Sequence, residues 1–217
     1  MAGMFKDDFN DTSLDPLKWT VESLGGHLAT YSLSGGFLNI DVPGGSCGAC
    51  GIADGARFKP RVDPLIGDFE MVISAEEIER LSRDRTRPLS DLQLLLTGTS
   101  TELGIFVIGD ATNNQGNPGH RIVAYYRDGN SVVYPLIKDL TIGQYSAFQF
   151  KIRRVKGIAY LAYKIAPDTT WTEAAVPASF PSNAVFIPSI VVASGDGGGT
   201  GTNSSYKLKI DSVAISK

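Results

Sequence analysis

At 217 residues, with a formal net charge of −3 and 42% hydrophobic residues, the chain is long enough to bury a sizeable core without disulfide staples. Mild acidity leaves no electrostatic footprint for nucleic acid. No apolar run is long enough to span a bilayer, so neither a nucleic-acid partner nor membrane insertion is expected. The opening Met1-Ala-Gly-Met-Phe-Lys6 lacks a basic segment followed by an apolar one, and the expectation is a chain without a secretory signal.

Two-residue alternation runs from end to end, without a convincing helical period. Phe5-Lys-Asp-Asp-Phe9 reads as a first strand, with Phe5 and Phe9 sharing the parity that faces a core. Asn10 to Ser13 and Pro16 make a turn, and Trp19 opens the next strand. Further strands are read at 28–33, 36–42, 51–58, 91–97, 102–109, 120–127, 131–137, 157–165 and 184–193. Phe69, Met71 and Ile73 alternate with polar neighbours, as do Phe148, Phe150 and Ile152, the mark of strands wet on one side.

Three segments interrupt the rhythm. Ala75 to Arg87, dense in both charges, reads as a short helix or a solvated loop. Asn113 to Gly119 and Gly195 to Asn203 are Gly- and Asn-rich loops of the kind that build binding sites. In the last strand, Tyr206, Leu208 and Ile210 share one parity and Val213 and Ile215 the other, which predicts a bulge near Asp211-Ser212. The first and last strands are expected to lie side by side. So many strands imply two packed antiparallel sheets in a single domain spanning 1–217.

Several chemistries find little support. Cys47 and Cys50 have only His27 and His120 to complete a zinc set; free thiols or a small loop disulfide fit better. There is no Gly-x-Ser-x-Gly elbow. The 195–201 glycines lack the Gly-Lys-Ser/Thr of a phosphate cradle.

The Phe5–Phe9 opening, Leu14-Asp15, Lys18-Trp19, Gly36-Phe-Leu-Asn-Ile40, Gly67-Asp-Phe-Glu-Met-Val-Ile73 and an aspartate-bearing last strand follow an order that resembles the concanavalin A-like lectin/glucanase superfamily. The resemblance implies an all-β, two-sheet antiparallel jelly-roll sandwich. It also implies a structural calcium held by Asp7 or Asp8, a Gly36 carbonyl and Asp211, with carboxylate and carbonyl oxygens suited to that ion. Laminarinase-like members carry Glu-x-Asp-x-x-Glu on one strand. The matching stretch, Glu102-Leu-Gly-Ile-Phe-Val107, keeps only Glu102, so no catalytic residue is assigned from it; a pair such as Glu70 with Glu102 stays open.

Aromatic side chains with polar tips suit sugar rings, and Tyr126, Arg127 and Trp171 are the expected ligand contacts. The reading that follows is a non-catalytic module binding a glycan or cell-surface polysaccharide, either virion-borne or extracellular. A structural phage protein, assembling with capsid or tail proteins or as a homo-oligomer, is one alternative. A glycoside hydrolase or lyase with a non-standard acid/base pair is the other.

Overall fold

The computed structural model describes residues 3–24, 29–42, 54–80, 89–110, 119–141, 147–194 and 206–217. Cys47, Cys50, His27 and the two Gly/Asn-rich loops, Gly119 excepted, lie outside them. The described strands, in chain order, are β1 (Gly3–Asp7), β2 (Trp19–Leu24), β3 (Thr30–Ser34), β4 (Phe37–Val42), β5 (Asp54–Pro60), β6 (Leu65–Ile66), β7 (Phe69–Arg80) and β8 (Leu89–Thr97). They continue with β9 (Thr101–Asp110), β10 (Gly119–Asp128), β11 (Ser131–Thr141), β12 (Phe148–Val155), β13 (Ile158–Ile165), β14 (Thr172–Ser179), β15 (Val185–Ser194) and β16 (Tyr206–Ser216).

These strands form two antiparallel sheets packed as a sandwich. The first has the order β14-β13-β12-β7-β16-β4-β3, with β1 also on β16; the second has the order β11-β10-β9-β8-β15-β5-β2, with β6 on β15. The first and last strands do pair, Phe5 opposite Ile215 and Asp7 opposite Val213. The last strand is central in its sheet, because β7 occupies its other side.

Alternation sets the core. Leu38 and Ile40, Met71 and Ile73, Phe150 and Ile152 point inward from the first sheet, against Phe58, Leu92, Leu94, Leu103, Ile105 and Ile190 from the second. The bulge expected in β16 is present: its register against β7 shifts between Ile210 and Ser212. Leu208 and Ile210 are buried before the shift, Val213 and Ile215 after it, and Asp211 is left exposed.

Two expectations are corrected. The charged segment from Ala75 continues β7 as far as Arg80 instead of forming a helix or loop there, while its remainder, 81–87, lies outside the described residues. Pairing with β16 across Glu76, Glu77 and Glu79 supplies the ladder, and tertiary pairing outweighs local helix preference. Phe9 is buried, 1% exposed, but not by strand parity: β1 ends at Asp7, and Phe9 adopts φ +51°, a left-handed turn unusual for a non-glycine residue. Its ring stacks on Trp19 at 5.9 Å, while Phe5 meets the same indole edge-on at 5.1 Å.

Parity also carries a charge inward. After Phe148, Phe150 and Ile152 comes Arg154, only 1% exposed. Its guanidinium donates to the carbonyls of Phe180 (3.2 Å), Pro181 (2.5 Å) and Ala184 (3.4 Å). These donors tie the β14–β15 connection to the core with neutral acceptors.

Candidate functional site

Asp7 is one of the residues that the sequence resemblance assigns to calcium. It is 5% exposed and already engaged: Oδ1 accepts from the Phe9 amide at 3.0 Å and Oδ2 from Trp19 Nε1 at 2.7 Å. Lys18 Nζ stands 3.9 Å from the same Oδ2. Asp8 is exposed near Lys6, Gly36 turns the chain at φ +78°, and Asp211 projects from the bulge. Among the described residues no three His, Cys, Asp or Glu side chains converge as a metal set. Both carboxylate oxygens of Asp7 are taken, and Asp7 acts as the acceptor that fixes Trp19.

The outer face of the second sheet is different in kind. Inward parity takes Leu94, Leu103, Ile105, Ile122, Ala124, Ile190 and Val192 into the core. The intervening residues Gln93 and Leu95 on β8, Glu102, Gly104 and Phe106 on β9, Tyr125 and Arg127 on β10, and Val191 and Ala193 on β15 therefore face outward. Leu95, Tyr125, Val191 and Ala193, each 9% exposed or less, form a second, close-packed apolar cluster of their own, with the partly buried Leu24 and Phe106 packed against it.

A polar chain crosses this patch. Gln93 Nε2 donates to Tyr125 Oη at 2.6 Å, and Tyr125 Oη donates to Glu102 Oε1. The Phe106 and Tyr125 rings meet edge-on at 5.5 Å. Burial first, then the hydrogen bond to the Glu102 carboxylate, pushes the Tyr125 phenol far above the usual tyrosine range. At neutral pH it is therefore a hydroxyl donor rather than a base.

The three expected ligand contacts do not share a face. Tyr126 turns inward, its ring edge-on to Phe180 at 5.7 Å. Arg127 is exposed and opposite Glu102 in the β9–β10 register. Trp171 lies over the outside of the first sheet, with Lys151 Nζ 4.4 Å and Lys164 Nζ 5.2 Å from its ring centroid. Glu70 also belongs to that far side, beside Lys151 at 3.9 Å. Glu70 and Glu102 point away from each other through the whole sandwich, so the pair left open by the sequence cannot flank one bond.

No family profile and no curated protein matches the chain, but solved structures do. The CBM2 module of the evolved Dit of Lactobacillus casei BL23 phage J-1 superposes with a TM-score of 0.63 at 11% identity, covering 98% of this chain and 94% of that one. A laminarinase from Flavobacterium sp. UMI-01 gives 0.60 at 12% identity, covering 100% of both chains. A β-1,3-glucanase from Mycobacterium marinum gives 0.59 at 12%, covering 100% of this chain and 99% of that one.

The fold is the concanavalin A-like jelly roll.

Identities this low carry the fold and not the activity. Within the jelly roll, β9 is the strand to compare with the resembled Glu-x-Asp-x-x-Glu pattern. A Cβ at Gly104 would stand 2.2 Å from the Tyr125 ring, so the aromatic fills the space a middle carboxylate would need. The β9–β10 register is unbroken from Thr101 to Asp110, and Val107 is buried in the core. Without a bulge in β9, a glutamate at 107 would also point inward. The absence of the motif was legible in the sequence. The role of Tyr125 was not, because it depends on which β10 residue lies beside Gly104.

Proposed function

We propose that this jelly roll is a non-catalytic glycan-binding module and that its ligand lies on the outer face of the second sheet. The observation that carries the reading is the Gln93–Tyr125–Glu102 chain beside Phe106, set on an apolar patch. Sugar rings present apolar faces to aromatic planes and hydroxyls to amide and carboxylate groups, and this face offers both. Arg127, opposite Glu102, adds a donor at its rim. Glu102 has no second carboxylate in reach on its own strand, and two are needed to act as acid and nucleophile or base.

The neighbours' names support a carbohydrate ligand, and the phage CBM2 module supports a second reading in which the domain attaches a virion to a surface polysaccharide. In both readings the whole 1–217 jelly roll is one binding unit, working outside the cell.

Binding to immobilised glycans is the test. Phe106→Ala and Gln93→Ala each weaken binding about fivefold, equivalent to about 1 kcal/mol, while Trp171→Ala leaves it unchanged. Reducing-sugar release from laminarin that disappears in Glu102→Gln would overturn the non-catalytic reading. Binding lost in Trp171→Ala but kept in Phe106→Ala would move the site to the other sheet.

A further inference from the structure

Arg57 stands on the same outer face. Its neighbours in the strand, Ala56 and Phe58, are in the core, so its side chain goes outward. The cross-strand registers form one transverse row. Glu22 is opposite Arg57, Arg57 opposite Val191, Val191 opposite Gln93, and Gln93 opposite Phe106.

The acid nearest to Arg57 is already engaged. Glu22 Oε1 accepts from Lys59 Nζ at 2.5 Å, while Arg57 Nη1 is 4.0 Å from Glu22 Oε2, beyond hydrogen-bond range. Arg57 Nε is buried with no hydrogen-bond partner. No hydrogen bond joins the guanidinium to any described residue, although its side chain is 35% exposed. A buried donor left unmatched is costly, and an arginine fork is shaped to receive a planar carboxylate at two points.

We infer that Arg57 is the receptor for a carboxylate on the bound glycan, making the ligand an acidic, uronate-containing oligosaccharide. This rests on the glycan-binding face argued above and deepens it. Strands are spaced by about 4.8 Å, so the backbone at Arg57 lies roughly 10 Å from that at Gln93 and roughly 14 Å from that at Phe106. A short oligosaccharide lying across the strands spans that row, stacking at Phe106, bonding at Gln93 and ending with its carboxylate on Arg57. Val191, packed in the apolar cluster between them, holds the row's spacing. Lys59 stays with Glu22 and steadies the row's end.

The test uses the full chain, calorimetry, and tetrasaccharides of galacturonate, mannuronate and glucuronate, each paired with its fully methyl-esterified, uncharged counterpart. A sulfated neutral tetrasaccharide is added as a separate arm. At least one acidic tetrasaccharide should bind ten times more tightly than its ester. That preference should fall at least tenfold in Arg57→Gln and only partly in Arg57→Lys, which keeps the charge but loses the fork. Both variants are first shown to melt as the parent does; if Arg57→Gln does not, Arg57→Lys and the acid–ester preference decide. Phe106→Ala should weaken acid and ester alike. Equal binding of acid and ester overturns the carboxylate assignment while leaving the glycan face standing, and so does a preference confined to the sulfated arm. No binding by any probe, or binding indifferent to Phe106→Ala, overturns both.

Discussion

The two outer faces of this sandwich are built from the same alternating pattern and end in opposite states. On the first sheet several polar groups among the described residues are matched within the protein. Arg153 holds Glu173 through two hydrogen bonds of 2.8 and 2.6 Å, Lys151 lies 3.9 Å from both Glu70 and Glu173, Gln149 donates to Ser74, and Trp171 is covered by lysines. On the second sheet a close-packed apolar cluster, a hydrogen-bonded tyrosine and an arginine with no hydrogen bond to a described residue lie on the outward side. Polarity by itself does not separate the faces, since both are rich in charge. What sets the second face apart is Arg57, whose Nε has no hydrogen-bond partner among the described residues, because an unmatched group gains more from a ligand than a matched one.

The sharpest way to break this contrast is at Gly104. Gly104→Ala drives a methyl into the Tyr125 ring and should destabilise the fold by about 1–3 kcal/mol, as overpacking does; denaturant unfolding measures it. No loss would mean the ring is not held where it lies.

Next comes the Tyr125 proton. Burial and the Glu102 bond raise its pKa, so the folded state keeps the proton to higher pH than the unfolded chain. The associated stability is complete below the usual tyrosine pKa of about 10 and is lost as pH rises toward the folded value. Spectrophotometric titration should show one tyrosine resisting ionisation beyond the rest, and Glu102→Gln should bring its titration down.

Effects on the first sheet's face should be smaller. Trp171→Ala should fold and lose roughly 0.5–1 kcal/mol, the worth of an exposed cation–π contact. A loss on the order of 3–5 kcal/mol, typical of a buried tryptophan, would place Trp171 in a core instead. Glu173→Gln should cost less than about 1 kcal/mol at pH 7, as surface ion pairs do. The Arg153 hydrogen bond holds the Glu173 carboxyl below its ordinary range. That contribution is present above the ordinary carboxylate pKa and fades as pH falls through the folded one, so parent and mutant melting temperatures should converge in acid. Smallest of all is the metal: the melting temperature should be the same in chelator and in millimolar calcium, since Asp7 is already taken by Trp19 and Phe9. A rise with free calcium would show a site beyond the four residues considered.

Most of the fold was legible because burial imposes a period of two on a half-wet strand. The strands it missed are those in which other demands hide the period. β14, Thr-Glu-Ala-Ala-Val-Pro-Ala-Ser, contains Pro177 and buries little, as an edge strand can. The end of β7 reads as a charged helix or loop. The site was less legible because it depends on register. Tyr125 and Tyr126 are indistinguishable in sequence, and parity says only that they part. The β9–β10 register, which sets Tyr125 opposite Gly104, together with the Gly104 gap, determines which one reaches Glu102. Arg57 and Arg154 likewise look like ordinary surface cations until their neighbours are known.

The pairing of β1 with β16 has a mechanical consequence. Gly3 and Ser216 are cross-strand partners, so chain attached at either end would leave from one corner of the sandwich. Tension applied between those two points would act across the ladder rather than along it, peeling the strands apart one hydrogen bond after another instead of shearing all of them together. The domain would then be a weak link if pulled between its ends. Held by one end and loaded through a ligand on the second sheet, it would carry force along a different path, through the packed sheets.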